Sequence, residues 1–161
     1  MAEVSFYILP SESLQERYLF ACKLIEKAYR SGCFCYVLTD DAEQSQHLDE
    51  LLWTFRAGSF IPHQIYADEP PGIAKDGVYA ASQSGTGAAI EKVILIGSLA
   101  APENWRHTLF NLSSHYPDVG PQTERILEIL DNSETTKAAG RERYRRYQQS
   151  GMTVTTHKDW Q

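Results

Sequence analysis

The sequence predicts an α/β fold with a mainly parallel sheet, and three observations support this prediction. Apolar runs typical of buried strands alternate with amphipathic stretches of helical period over the first 56 residues. The connections between them are short, as in parallel strands joined by right-handed crossovers. The 161 residues are 42% hydrophobic and 22% charged, which is enough apolar material for one core. We therefore expect a single domain over residues 1–161, with three layers in a Rossmann-like arrangement.

The first half of the chain contains two strand–helix units. The strand-like runs span residues 4–9 and 33–38, and the helical patterns span residues 12–31 and 41–56. Ser11 is the expected N-cap of the first helix, and Gly32 is expected to end it, since glycine tolerates the left-handed conformation common after a helix. Asp40 and Asp41 are expected to cap the second helix.

The second half is predicted to be less regular. Short strands are expected at residues 64–67, 78–80, 93–96 and 109–112, an irregular loop at 68–91, and helices at 122–131 and 134–150. Apolar residues three and four positions apart, from Ile126 to Leu130, predict the helix at 122–131. The residues after Gly151 read as extended chain.

Charge and hydropathy exclude several classes of protein. With 15 basic and 21 acidic residues the net charge is −6, so the surface lacks the positive field needed to coat duplex DNA. No apolar run approaches the roughly 20 residues of a membrane span. The N-terminus enters a strand-like run without a basic region before it, so we expect no signal peptide. A cytoplasmic location without membrane contact is the resulting expectation.

The sequence lacks the motifs of common enzyme classes. It contains no G-x-x-x-x-G-K-[ST], no G-x-G-x-x-G and no G-x-S-x-G. The Gly-Thr-Gly at 85–87 follows no strand-like run and is interpreted as a flexible turn. The carboxylate pairs Asp40-Asp41 and Asp49-Glu50 suit a helix start and a solvated helix face better than acid/base or magnesium chemistry. We expect no catalytic residue and no nucleotide-binding fingerprint.

The cysteines do not indicate a disulfide framework. There are three, Cys22, Cys33 and Cys35, and a low odd number is typical of buried thiols. Zinc at the Cys33–Cys35 pair is the alternative, but there is no second pair, and the five histidines lack an H-x3-5-H spacing. We therefore expect no metal and no cofactor.

An aromatic segment follows the apolar face of the second helix. Trp53 lies about 100° from Leu52 around a helix, which places it off the apolar stripe. Phe60, Pro62 and His63 follow in the next loop. A tryptophan in this position indicates either a small satellite core or a docking patch for a protein partner.

The last helix carries a basic face in an otherwise acidic protein. Residues 133–161 contain six basic and three acidic residues, whereas the other 132 contain nine and eighteen. A helical wheel groups a tyrosine with three cations within about a third of a turn, namely Lys137, Arg141, Tyr144 and Arg145. Such a face suits an acidic peptide with a hydrophobic end or a terminal carboxylate. A solvated basic face and a platform for single-stranded nucleic acid are the alternatives.

Several segments of this chain resemble a known family. They are Phe6-Tyr7, Leu48-Asp49-Glu50 leading to Leu52-Trp53, Ser59-Phe60-Ile61-Pro62-His63, and Arg141-Glu142-Arg143-Tyr144 followed by Tyr147 and Gly151. In order and spacing they resemble the chi subunit of bacterial DNA polymerase III, except over residues 68–91. In that family chi is a non-catalytic accessory protein. It pairs with the psi subunit, joins the clamp loader through psi, and holds the acidic C-terminal tail of the single-stranded-DNA-binding protein.

The resemblance implies two binding surfaces, with DNA contacted only indirectly. The psi-side surface would contain Trp53, Phe60, Pro62 and His63. The tail pocket would contain Lys137, Arg141, Tyr144 and Arg145, the last standing where the family pattern has a lysine. Val154, on the chain returning after Gly151, is expected to complete an apolar slot beside Tyr144. Direct binding of single-stranded nucleic acid and a small-molecule enzyme with an unrecognised site are the competing interpretations.

Overall fold

A computed structural model describes residues 2–32, 35–55, 61–66, 79–80, 89–90, 94–101, 105–117 and 119–157. The helices are α1 (Leu14–Arg30), α2 (Ala42–Thr54) and α3 (Glu134–Gln149). The strands are β1 (Glu3–Ile8), β2 (Cys35–Leu38), β3 (His63–Ile65), β4 (Tyr79–Ala80), β5 (Ala89–Ile90), β6 (Ile94–Gly97), β7 (Thr108–Asn111), β8 (Arg125–Leu130) and β9 (Thr153–His157).

Seven of these strands form one sheet in the order β3-β6-β2-β7-β8-β1-β9. Every neighbouring pair in it is parallel, which confirms the predicted parallel sheet. The first strand lies between the last two, with Val4 opposite both Ile126 and Val154. Strands β4 and β5 pair separately as a two-residue antiparallel ribbon within the predicted loop.

The side chains of the sheet alternate between two cores, and this produces the three predicted layers. On one face Val37, Ile96 and Phe110 pack with residues of α1 and α2. On the other face Phe6 and Leu95 belong to the core that contains residues of α3. A parallel sheet is usually covered on both faces in this way, because its connecting helices lie on its surfaces.

The predicted helix at residues 122–131 is wrong, because this segment contains strand β8. The strand pairs with β7 and β1 in the interior of the sheet, and each residue from Ile126 to Leu130 is buried. A strand covered on both faces has apolar residues at adjacent positions as well as alternate ones. Their spacing therefore also matches the three- and four-residue intervals of a helix.

Helix ends follow local signals, with one correction. Ser13, rather than Ser11, caps α1, and its Oγ accepts a hydrogen bond from the Glu16 backbone N–H at 3.2 Å. Asp41 caps α2 as predicted. Gly32 follows α1 with a φ of 87°, a left-handed conformation that favours glycine.

For the described residues, the structure can be compared with the predictions about the cysteines and about membrane-spanning segments. Cys22 and Cys35 are buried thiols there, whereas Cys33 lies outside the described residues. Burial raises the pKa of the Cys22 thiol to about 12, so it stays protonated at neutral pH. Among the described residues we find no cluster of three metal-ligating side chains and no helix with the length and hydropathy to cross a bilayer.

Candidate functional site

A groove of about 460 Å³ lies beside the N-terminal half of α3, above the carboxyl ends of β1 and β8. Its apolar lining includes Phe6, Ile8, Leu9 and Leu130. Lys137 and Arg141 of α3 line it too, with side chains that are 28% and 60% exposed. The groove, called the α3 groove below, thus combines an apolar lining with two accessible cations.

A glycine of α3, Gly140, lies in the lining of the α3 groove, where the helix packs on β8. A Cβ atom added to Gly140 would lie 2.5 Å from Leu130 Cδ1, so a larger residue there would force Leu130 or the helix to move. The glycine lets α3 approach β8 closely. Leu130 and Gly140 both line the groove, so this close approach also shapes it.

Tyr144 forms an aromatic wall of the α3 groove. Its ring centroid lies 5.3 Å from that of Phe6, with the ring planes tilted by 53°. Because Phe6 is almost fully buried in the α3-side core, this contact anchors the tyrosine to the sheet. The Tyr144 ring therefore adds an aromatic surface to the apolar lining of the groove.

The structure brings together three of the five predicted tail-pocket residues. Lys137, Arg141 and Tyr144 line the α3 groove, whereas Arg145 and Val154 do not. Arg145 points away and pairs with Glu142 on the same helix at 3.2 Å. Val154 packs into the α3-side core, and the β9 residue that reaches the groove is Thr156.

The neighbouring Arg143 has a structural role that the sequence did not reveal. Its Nε and Nη2 donate to the fully buried carboxylate of Glu128 in β8, at 3.0 and 2.9 Å. Tyr147 and Asn111 donate to the same carboxylate at 2.6 and 2.8 Å. Burial and the adjacent carboxylate raise the pKa of Tyr147, which keeps its hydroxyl a donor. The sequence signal for this buried cluster is Glu128 itself, a single glutamate within the apolar run of β8.

The aromatic segment forms a second candidate surface, the aromatic corner, made of Trp53, Pro62 and His63. Trp53 is 52% exposed, and its ring lies 4.5 Å from that of His63. The His63 side chain is fully buried, with Nδ1 2.7 Å from the carbonyl oxygen of Ile61. Pro62 is half-buried, and Phe60 lies outside the described residues. The buried His63 side chain therefore packs against the inner side of the exposed Trp53 ring.

The two surfaces occupy opposite edges of the sheet. The aromatic corner lies where α2 meets β3, the strand at one edge, while the α3 groove lies at the other edge, where β1 and β9 pair. The helices that carry them, α2 and α3, cover opposite faces.

Comparison with known proteins identifies the family. The family model described as "DNA polymerase III chi subunit, HolC" matches residues 1–155 of this chain. The chain belongs to this family. A similar relative is the DNA polymerase III subunit chi of Pseudomonas aeruginosa, 29% identical over 158 residues that cover 98% of this chain and 97% of that one. The Escherichia coli K12 subunit chi is 24% identical over 164 residues, covering 97% of each chain.

Membership of the chi family fixes the general role of the protein. It is an accessory, non-catalytic subunit of DNA polymerase III, and it serves DNA replication. This confirms the predicted resemblance to the chi family. It also confirms that the chain is not an enzyme in its own right.

A solved structure supports the fold alone. A crystal structure of T4 UvsW matches with a TM-score of 0.62 at 10% sequence identity. The match covers 98% of this chain but only 42% of the UvsW chain. The α/β arrangement is therefore shared with a protein of unrelated sequence.

Proposed function

We propose that this chi-family subunit is a two-sided adaptor in the cytoplasm. The α3 groove binds the acidic C-terminal tail of the single-stranded-DNA-binding protein. The aromatic corner binds the psi subunit, and psi joins the protein to the clamp loader. DNA is contacted only indirectly, through the protein that coats it.

The observation that carries this proposal is the pairing of cations with an apolar lining in the α3 groove. A tail that ends in a hydrophobic residue offers a free carboxylate next to an apolar side chain. The planar guanidinium of Arg141 suits a carboxylate through two parallel charge-assisted hydrogen bonds. Phe6, Leu130 and Tyr144 line the space for the side chain.

The remaining cations would act through the electrostatic field. Lys137 lines the α3 groove and would attract the aspartates that precede the end of the tail. Arg145 lies outside the groove and is paired with Glu142, so its contribution is a longer-range attraction. Salt screens such attraction over a Debye length of about 8 Å at physiological ionic strength. Binding should therefore weaken as the salt concentration rises.

Replacement of Arg141 tests the proposal. A short disordered tail must be ordered on binding, so we expect micromolar affinity, about −7 to −8 kcal/mol. Arg141→Ala should weaken binding of the tail peptide by about 1.5–3 kcal/mol, the usual effect of losing a hydrogen bond to a charged group. Isothermal titration calorimetry measures this difference directly.

Arg145→Ala is the matched control, because it removes the same charge from the same helix outside the α3 groove. We expect it to change the affinity much less than Arg141→Ala does. Equal effects of the two variants would mean that only the net charge of the helix matters. Unchanged affinity in Arg141→Ala would refute the assignment of the groove.

A further inference from the structure

The two cations of the α3 groove share a carboxylate from the protein itself. Glu134 is the first residue of α3, and its Oε1 lies 3.6 Å from Lys137 Nζ. Its Oε2 lies 3.7 Å from Arg141 Nη2. One carboxylate of the protein itself therefore places an oxygen near each of the two cations that the proposed function assigns to the tail.

We propose that Glu134 is an internal competitor that a ligand carboxylate must displace from Lys137 and Arg141. This inference rests on the proposed function of the α3 groove and adds a regulating residue to it. Neither the sequence pattern nor the family resemblance singled out Glu134. Its position follows from helix geometry, since residues three and seven positions further along lie on the same face.

The geometry makes Glu134 displaceable. The Glu134 side chain is 82% exposed, so water can solvate it as soon as it leaves the cations. Both of its contacts are longer than the 2.7–2.9 Å of a charge-assisted hydrogen bond. A ligand carboxylate that reaches hydrogen-bonding distance from Arg141 therefore replaces a looser contact with a tighter one.

This competition favours ligands that offer an apolar contact in addition to a negative charge. Displacement of Glu134 lowers the affinity of every anion that uses the two cations. A simple anion has only its charge to offset that cost. A peptide with a hydrophobic end also buries its side chain against Phe6 and Leu130, so it retains binding. Glu134 thus keeps the cations from capturing small anions while leaving them available to the tail.

The test compares Glu134→Gln with Glu142→Gln. Both variants remove one negative charge from α3, but Glu142 pairs with Arg145, which lies outside the α3 groove. The probe is a fluorescent acidic peptide with a hydrophobic last residue, prepared with a free and with an amidated C-terminus. Fluorescence anisotropy gives the dissociation constants, and thermal unfolding checks that both variants are folded.

We expect Glu134→Gln to tighten binding of the free-carboxylate peptide about threefold, as suits the loss of one exposed ion-pair competitor. The gain should shrink for the amidated peptide, and Glu142→Gln should leave both affinities nearly unchanged. Relative to Arg141→Gln alone, the double variant Glu134→Gln/Arg141→Gln should show a smaller gain, because Lys137 is then the one groove cation left for Glu134 to occupy.

The outcomes separate this inference from the proposed function. Equal gains in the two single variants, or no gain in Glu134→Gln, would overturn the competitor role while leaving tail binding in place. If neither the natural protein nor Glu134→Gln binds the peptide, both proposals are wrong. Binding that appears only in Glu134→Gln would support the competitor.

Discussion

Glu128 lies fully buried in β8, and three side chains from β7 and α3 saturate its carboxylate. Arg143 pairs with it through two hydrogen bonds, while Tyr147 and Asn111 add one each. A buried ion pair is tolerated only when both partners stay in place, because either charge alone is poorly solvated. This cluster therefore fixes how α3 sits on the sheet and, with it, the position of the α3 groove.

Replacing Glu128 by glutamine should be strongly destabilising. The substitution keeps the shape of the side chain but leaves the guanidinium of Arg143 buried without its counter-charge. Breaking such a pair typically costs about 3–5 kcal/mol. Urea unfolding, monitored by circular dichroism, measures the free energy of unfolding.

Glu142→Gln is the control for this charge change, since Glu142 is exposed and pairs with the exposed Arg145. Its expected cost is below about 0.5 kcal/mol. Similar losses of stability in Glu128→Gln and Glu142→Gln would show that the buried cluster does not stabilise the fold.

At the scale of secondary structure elements, local signals were sufficient for the helices and insufficient for β8. Helix α3 is predicted to within a residue, because its helical pattern ends at Gly151, which follows the helix with a φ of 82°. The identity of β8 depends on burial on both faces, which arises only when other elements pack around it. Its sequence alone matched a helix as well as a strand.

The residues that line the α3 groove likewise divide into those that the sequence predicts and those that only the fold reveals. Helical geometry placed Lys137, Arg141 and Tyr144 on one face from the sequence alone. Leu130 and Thr156 were missed, since their strands meet α3 only through the sheet topology. The helical wheel includes Arg145 because it gives angles around the helix but not the direction of the neighbouring strand.

Gly97, at the end of β6, lies in a tightly packed part of the structure. A Cβ atom added to Gly97 would lie 2.6 Å from the Tyr36 hydroxyl and 2.8 Å from the backbone oxygen of Tyr66. The backbone contact is not relieved by rotating a side chain, so Gly97→Ala should destabilise the protein by about 1–3 kcal/mol. Thermal or urea unfolding checks this expectation.

Gly120→Ala is the control, because the nearest atom to its added Cβ lies 3.9 Å away. We expect a small change there, within about 0.5 kcal/mol. A Gly97→Ala protein as stable as the natural one would show that the end of β6 yields easily.

At the scale of the whole molecule, the distance between the aromatic corner and the α3 groove determines whether their two partners can bind independently. Five strand-to-strand steps separate β3 from β1, which lines the α3 groove. At about 4.8 Å per step this is roughly 24 Å across the sheet. Changes at sites so far apart usually act additively. The two proposed partners should therefore bind independently and at the same time.

Trp53→Ala should abolish or strongly weaken binding of psi while leaving the affinity for the tail peptide unchanged. Copurification with psi measures the first effect, and calorimetry with the peptide measures the second. Leu14→Ala truncates another exposed apolar side chain, at the start of α1, and should affect neither. A large loss of peptide affinity in Trp53→Ala would contradict the independence of the surfaces.

The position of β1 between β8 and β9 has a consequence for biosynthesis. Glu3 is synthesised long before its two neighbours in the sheet, Arg125 and Thr153. At typical elongation rates the first strand waits about 6–24 s for β8. The nascent chain must keep this apolar segment from aggregating during that time. The α3 groove, which combines residues of β1, β8, α3 and β9, is completed only after β9 has been synthesised.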